Sequence, residues 1–267
     1  MKPQEIVQAI DAACMQRDNR TTRKYIGASN AGNQCEAFLN YTYRGFEGER
    51  IPGPVLRIFS LGHHLEDAVV KDLKSAGLPL WDYDPRTQKQ WTWERFGGHF
   101  QAHADGIFET QDGRVLLEIK SMNDKKWNLF KSRGISQSHP IYYAQMQIMM
   151  GLGKMEKGLM VSYNKNNSLY HIEVVRFNKH AYQAIMSRSL RALRGKRGRI
   201  SNDPSAFSCR YCNFKNYCWN GEKVTKRSCR NCAFSKAVGN KRLMCKITSK
   251  ICKEPCTKWN QFHPYNH

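Results

Sequence analysis

Asp105, Glu118 and Lys120 are the residues whose types and spacing could do chemistry in this chain. Two carboxylates converging on a hard cation, with an ammonium beside it, can orient and activate water for phosphodiester hydrolysis. The segments His99 to Glu109 (HFQAHADGIFE) and Val115 to Lys120 (VLLEIK) read as strands. They are joined at Gln111-Asp112-Gly113-Arg114, where Asp-Gly is a two-residue hairpin signal. A tight turn centred on that dipeptide pairs Asp105 with Lys120. Alternation then places Glu118 and Lys120 on one face, with Leu117 and Ile119 pointing the other way into a core. Asp105 lies diagonal to Glu118, roughly 7–8 Å away at the backbone, a gap that two inward-leaning carboxylates can close around one cation. Glu-x-Lys alone is weak evidence, because charged cross-strand pairs commonly just solvate a sheet face, and Asp124-Lys125-Lys126 matches Asp-x-Lys as well.

The elements that must position these groups follow from periodicity and punctuation. An amphipathic helix is predicted from Gln4 to Met15, then a polar basic link (RDNRTTRKY), then a helical segment containing Cys35 and running through Tyr43. A second long helix is predicted from Leu61 to Ser75, with Leu65, Val69 and Leu73 at helical spacing and Glu66 beside that stripe. Pro140 starts a helix (PIYYAQMQIMMGLG) in which Gln145 shares a face with Tyr142 and Met149. A strand at Gly158 to Tyr163, an Asn-rich turn, a strand at Leu169 to Phe177 and a basic helix at Lys179 to Leu193 complete an α/β order with a central mixed sheet flanked by helices.

At 267 residues the chain suits one substantial domain, residues 1–222, and a small basic Cys-rich appendage, residues 223–267. A formal charge of +21 and a pI near 9.7 point to a polyanionic partner, and phosphate contacts supply most non-specific affinity for nucleic acid. The basic residues cluster at Arg188, Arg191, Arg194, Lys196, Arg197 and Arg199, and again from Lys223 to Lys258. No apolar run approaches a membrane span and no signal-peptide core is visible, so a soluble, cytoplasmic protein is expected. Ten cysteines, four of them in two C-x2-C pairs and without a secretion signal, favour metal ligation over disulfides.

Together these residues resemble the PD-(D/E)xK nuclease superfamily, in its RecB-like and lambda-exonuclease-like branch, over roughly residues 25 to 220. Gly62-His63-His64-Leu65-Glu66 resembles the branch's G-x-x-x-(E/H) helix and Asp105-Gly106 its aspartate. Glu118-Ile119-Lys120 resembles its E-x-K strand, and Tyr143-Ala144-Gln145-Met146-Gln147 its glutamine helix. Two departures are Ala104 where a proline can precede the aspartate, and Met149 where a tyrosine often follows the glutamine. The resemblance implies a restriction-endonuclease-like core from a phage or bacterium. In it Asp105, Glu118, Glu66 and the Ile119 carbonyl bind Mg²⁺ or Mn²⁺, Lys120 positions the attacking water, and Gln145 holds Lys120 or the scissile strand. Lys120→Ala is then expected to spare the fold. His63, His64 and His103 lie near the site without an assigned role.

Cys209-x2-Cys212-x5-Cys218, with Cys35 far upstream, resembles the iron–sulfur staple of AddB and of CRISPR-associated RecB-like exonucleases. A [4Fe–4S] cluster or Zn²⁺ suits these thiolates, and spacing alone does not separate them. Cys14 is an alternative upstream ligand, or a small buried hydrophobe on its own helix. In the tail, Cys229, Cys232, Cys245 and Cys256 are expected to form a zinc-ribbon-like site, with Cys252 able to replace Cys256 and His263 either. Trp259 and Phe262 could stack on bases or pack over that metal site.

The reading is a Mg/Mn-dependent deoxyribonuclease, an exonuclease in recombination, repair or phage DNA processing, with DNA and a recombination or replication protein as partners. A structure-selective or restriction-like endonuclease would differ by cutting closed circular DNA. A non-catalytic nucleic-acid-binding protein would leave all DNA intact.

Overall fold

Val115, Leu116, Leu117 and Ile119 are all buried, as befits the middle of a sheet covered on both faces. The computed structural model describes residues 2–18, 22–195 and 198–264. Its first half contains α1 (Pro3–Arg17), β1 (Ile26–Gly27), α2 (Ala28–Ala31), α3 (Glu36–Tyr43), α4 (Gly53–Ser75), β2 (Leu80–Trp81), β3 (Tyr83–Asp84), β4 (Lys89–Gln90), β5 (Thr92–Arg95), β6 (Phe100–His103), β7 (Gly106–Thr110) and β8 (Gly113–Met122). The second half contains α5 (Asp124–Ser138), α6 (Pro140–Gly153), β9 (Lys157–Asn164), β10 (Tyr170–Arg176), α7 (Lys179–Leu193), α8 (Phe207–Arg210), α9 (Lys215–Trp219), β11 (Ser235–Val238) and β12 (Arg242–Cys245). The molecule is mixed α/β. Its main sheet has five strands in the order β10-β9-β8-β7-β2, and β8 pairs antiparallel with β7 and parallel with β9. A second, three-stranded sheet has the order β1-β6-β5.

The two faces of β8 differ. Leu117 and Ile119 join Val69, Leu80, Phe108 and Val161 in a small cluster under α4. Leu116 faces the larger core, with Met146, Met149 and Met160.

The predicted single strand from His99 to Glu109 is two strands. β6 pairs with β1 and β5, whereas β7 pairs with β8 and β2, so the chain changes sheets at Ala104–Asp105. The aromatic run before it supplies the extra partner: Thr92–Arg95 folds back on Phe100–His103 across Gly97 and Gly98, both at positive φ. The hairpin is also re-registered. Thr110 pairs with Gly113, whose φ of 108° suits glycine, so Gln111-Asp112 forms the turn. Gly106 then pairs with Leu117, and continuing the ladder brings Asp105 opposite Glu118, not Lys120. A shift of two residues leaves every side chain on its intended face.

Helix α4 begins at Gly53, eight residues before the predicted start, with Pro54 in its first turn. α5 is not foreseen in the sequence, because Trp127, Phe130 and Ile135 are its only buried residues and Gly134 (φ 69°, ψ 165°) interrupts it. α1 forms but buries nothing, and leans on α4 through Asp11 and Arg57. Cys14 stays on that helix, accepting hydrogen bonds from Arg17 and Arg57, so it is neither buried nor near the other cysteines. Among the described residues no helix is long and apolar enough to cross a membrane.

One glycine sets a close approach that matters for the site. A β-carbon on Gly32, just after α2, would stand 2.9 Å from Ile141 Cα and 3.0 Å from Ala144 Cβ, at the start of α6. Gly32→Ala is expected to push α2 off α6 and cost about 1–3 kcal/mol. Thermal unfolding reads this as a Tm lower by several degrees, and an unchanged Tm would mean that α2 does not seat α6.

Candidate active site

The break between β6 and β7 leaves Asp105 partly exposed where the two sheets part, while β8 brings Glu118 and Lys120 past it on one face. Asp105 Oδ2 accepts a hydrogen bond of 2.7 Å from the Ile119 N–H, which pins it to β8. Lys120 Nζ donates to Glu118 Oε1 and to the Ile119 carbonyl at 3.1 Å. From the other side α4 lies over this stretch: a β-carbon on Gly62 would sit 4.0 Å from Ser121 Oγ. One turn later Glu66 enters the field of Asp105 and Lys120. The structure thus brings Glu66, Asp105, Glu118 and Lys120 together.

The charge balance of this group is its most telling property. Burial, then the charge of Asp105, pushes the carboxyl of Glu118 above the usual carboxylate range, and the same two causes raise Glu66. Burial works against the Lys120 ammonium, but Glu118 and Asp105 outweigh it and hold the amine protonated. Three carboxyls therefore face one cation, and Glu118, with no exposed surface, leaves Oε2 without a hydrogen-bond partner. Fully ionised, the cluster carries two negative charges in excess, which one divalent cation would balance. The donor set of carboxylate and carbonyl oxygens is the type that hard cations take. Among the described residues no three His, Cys, Asp or Glu side chains stand as a finished metal site. The reason is visible: Lys120 holds Glu118 Oε1 and the Ile119 amide holds Asp105 Oδ2. A cation entering here exchanges those contacts for its own.

Because Lys120 is paired with a buried carboxyl, its removal is expected to disturb the fold as well as the site. Helix α6 supplies two further groups. Tyr142 lies with its ring centroid 5.5 Å from Lys120 Nζ, and Gln145 sits one turn on, buried at 8% exposure. Gln147 is the structural amide of this helix, donating to the Arg176 carbonyl (2.9 Å) and accepting from the Asn178 N–H (2.7 Å). Gln145 makes no such bond to a described residue. Sequence reasoning misses Ser162, which pairs with Lys120 across β8 and β9 and whose buried hydroxyl oxygen has no partner. Its only signal is its place in the β9 strand.

His103 is tied to Tyr25 and Thr92, His63 stands 4.0 Å from Glu66, and His64 is exposed. Three residues of the predicted basic cluster have structural partners. Arg188 donates to Gln34 and the Ala31 carbonyl, Arg191 to Glu36, and Arg199 to the Cys218 carbonyl while stacking over Trp219. Lys196 and Arg197 lie outside the described residues.

Cys35, at the N-terminus of α3, lies in the electrostatic field of Cys209 and Cys212, as does Cys218. Burial raises the thiol pKa of Cys212, and the other three cysteines act on it in the same direction. Beside them lies an apolar cluster that includes Ala37, Tyr41, Phe46, Phe214, Tyr217 and Phe262. In the tail, Cys229 interacts with Cys252 and lies in the field of Cys232, Cys245 and Cys256, the last being exposed. Trp259, half-buried, donates to the Ser228 carbonyl, and Phe262 is buried under Arg44 and so packs inside the protein.

No family model matches the chain, and no curated protein does. Among solved structures, SSO0001 is similar in fold, with a TM-score of 0.50 at 14% identity over 82% of this chain and 98% of that one. An alkaline exonuclease (LHK-Exo) from Laribacter hongkongensis gives a TM-score of 0.44 at 16% identity over 70% of this chain and 90% of that one, and its complex with dAMP gives the same values.

Proposed function

We propose that the chain is a metal-dependent deoxyribonuclease that shortens DNA from its ends, in recombination, repair or phage DNA processing. The observation that carries this reading is the three-carboxyl, one-ammonium cluster with its unpartnered Glu118 oxygen at the junction of two sheets. Asp105, Glu118, Glu66 and the Ile119 carbonyl would hold Mg²⁺ or Mn²⁺. A divalent cation there supplies acidification of a water and neutralisation of charge developing on the phosphate. Lys120, kept protonated by its neighbours, donates to the attacking oxygen or to a phosphate oxygen. Gln145, with its amide uncommitted to the core, positions Lys120 or the scissile strand, and Tyr142 walls that side. Cys35, Cys209, Cys212 and Cys218 would hold a [4Fe–4S] cluster as a structural staple, with Zn²⁺ the other occupant suited to four thiolates.

The test is purified protein with Mg²⁺ or Mn²⁺ on end-labelled linear and closed circular DNA. Linear DNA is expected to be shortened progressively while the circle survives. Cutting of the circle would replace end-dependent action by endonuclease action. Intact DNA of every form would leave a nucleic-acid-binding protein.

A further inference from the structure

Two arginines, Arg44 buried and Arg230 half-buried, stand without a carboxylate partner among the described residues. Arg44, 4% exposed, donates to the carbonyls of Arg230 (3.1 Å), Cys232 (2.9 Å) and Ser235 (3.3 Å) and to the Ser235 hydroxyl, while its Nε has no partner. Arg230 reaches back to the carbonyls of Arg23 and Tyr43 and to Thr22. Among the described residues neither forms an ion pair. These bonds tie the first turn of the tail to two places in the core, the end of α3 and the segment Thr22–Arg23 before β1.

That turn carries thiols. Cys229 and Cys232 frame a tight turn in which the Cys232 N–H donates to the Cys229 carbonyl, and Ser235, three residues on, pairs with Cys245 in the β11–β12 ribbon. The segment after β12 folds back as a third line: Met244 bridges Ile251, the Cys245 N–H donates to the Lys250 carbonyl (2.9 Å), and the Cys252 N–H donates to the Leu243 carbonyl (2.8 Å). The backbone therefore delivers Cys252 to the ribbon next to Cys245, and its thiol contacts Cys229. Cys256 lies beyond this fold-back and is exposed.

We propose that Cys229, Cys232, Cys245 and Cys252 bind one zinc ion as a tetrathiolate, and that Arg44 and Arg230 are held beside it to balance its charge. Four thiolates around Zn²⁺ leave two negative charges, and two guanidiniums supply two positive ones. Each thiol gives up its proton on loading. The tail is then a metal-closed clamp. Its ribbon tip also grips the β5–β6 turn, where the Lys241 N–H donates to the Gly97 carbonyl (2.7 Å) and His99 Nε2 meets the Val238 carbonyl (2.7 Å). Since that carbonyl can only accept, His99 carries its proton on Nε2, and Nδ1 accepts from the Tyr43 hydroxyl (2.9 Å).

The test is metal content of the full chain purified under reducing conditions, with no reference to cleavage. Cys252→Ser is expected to lose about one equivalent of zinc relative to wild type, and Cys256→Ser none. Loss from Cys256→Ser, or retention by Cys252→Ser, overturns the ligand set. Should Cys252→Ser fail to fold, cobalt-loaded Cys256→Ser decides: an unchanged four-thiolate cobalt spectrum supports the site and a diminished one overturns it. Arg44→Gln is expected to weaken zinc affinity by about tenfold or more, and unchanged affinity would overturn the charge-balancing role.

Discussion

Lys120→Ala is expected to abolish cleavage and destabilise the protein, whereas Glu118→Gln is expected to abolish cleavage while leaving the metal-free protein at least as stable as wild type. The loss of activity rests on removing, in one case, a charged donor at the phosphate and, in the other, a metal ligand. Either is expected to reduce turnover by on the order of 10³-fold. The stabilities diverge because the two residues stand differently toward burial. Glu118 has no exposed surface and its one cationic contact is Lys120. Above about pH 8, where Glu118 is ionised, removing the lysine strands that carboxyl, which then takes up a proton, so the cost there is about 1–3 kcal/mol, short of that for a buried charge that cannot neutralise. Replacing the carboxyl by an amide removes the need for neutralisation. The pH dependence carries the same sign. Burial and then Asp105 raise the Glu118 pKa from 4.5 to about 8, so across that window the folded state holds a proton that the unfolded chain has released. Without added divalent cation, wild-type stability is therefore expected to fall as pH rises from about 4.5 to about 8, and Glu118→Gln to fall less. Mn²⁺ should restore wild type at the upper end and not the glutamine variant. Urea unfolding across the window reads both effects. Equal stability of Lys120→Ala and wild type at both ends, or cleavage by Glu118→Gln, would remove the site from the reaction.

How far the sequence reaches is clear from the same residues. Alternation in VLLEIK suffices to put Glu118 and Lys120 on one face, and a register error of two residues does no harm, because the period of a strand is two. Pro140 and Asn178 mark the starts of α6 and α7 by local chemistry that tertiary structure does not override. What is not legible depends on partners remote in sequence. The freedom of Asp105 comes from a change of sheet at Ala104, which nothing in HFQAHADGIFE announces, since its alternation runs on unbroken. The destiny of the basic residues is equally hidden. Arg188, Arg191 and Arg199 look like a phosphate-binding patch in one dimension, yet in three dimensions they brace α7 and the following segment against the α2–α3 region and the cysteine segment. Arg44, unremarkable in the sequence, is among the most constrained cations in the molecule. Composition reports that charge is abundant, and only packing decides which charges are left free for a partner.

Cys35→Ser is the second substitution expected to have a large effect, and its effect is on the fold. Cys35 stands at the N-terminus of α3, near the start of the α/β core, while Cys209, Cys212 and Cys218 come from its far end. A cluster held by all four closes a loop of roughly 170 residues, and cross-linking a loop of that length is worth about 5 kcal/mol in the unfolded-chain entropy it removes. The apolar contacts beside the thiols are too few to replace it. Phe214 and Tyr217 pack on Tyr41 and Phe46, but the helices that carry the cysteines, α8 and α9, are only four and five residues long. Such short helices do not hold their shape unaided. Cys35→Ser should therefore melt far below wild type and lose the visible absorbance and iron of the proposed cluster, whereas Cys14→Ser, out on α1, should change neither. A wild-type protein that is colourless and holds zinc in these four thiolates would transfer the staple to the other metal without altering the argument. Retention of the wild-type Tm by Cys35→Ser would show that nothing binds the two ends of the core together, and that the thiols are merely neighbours.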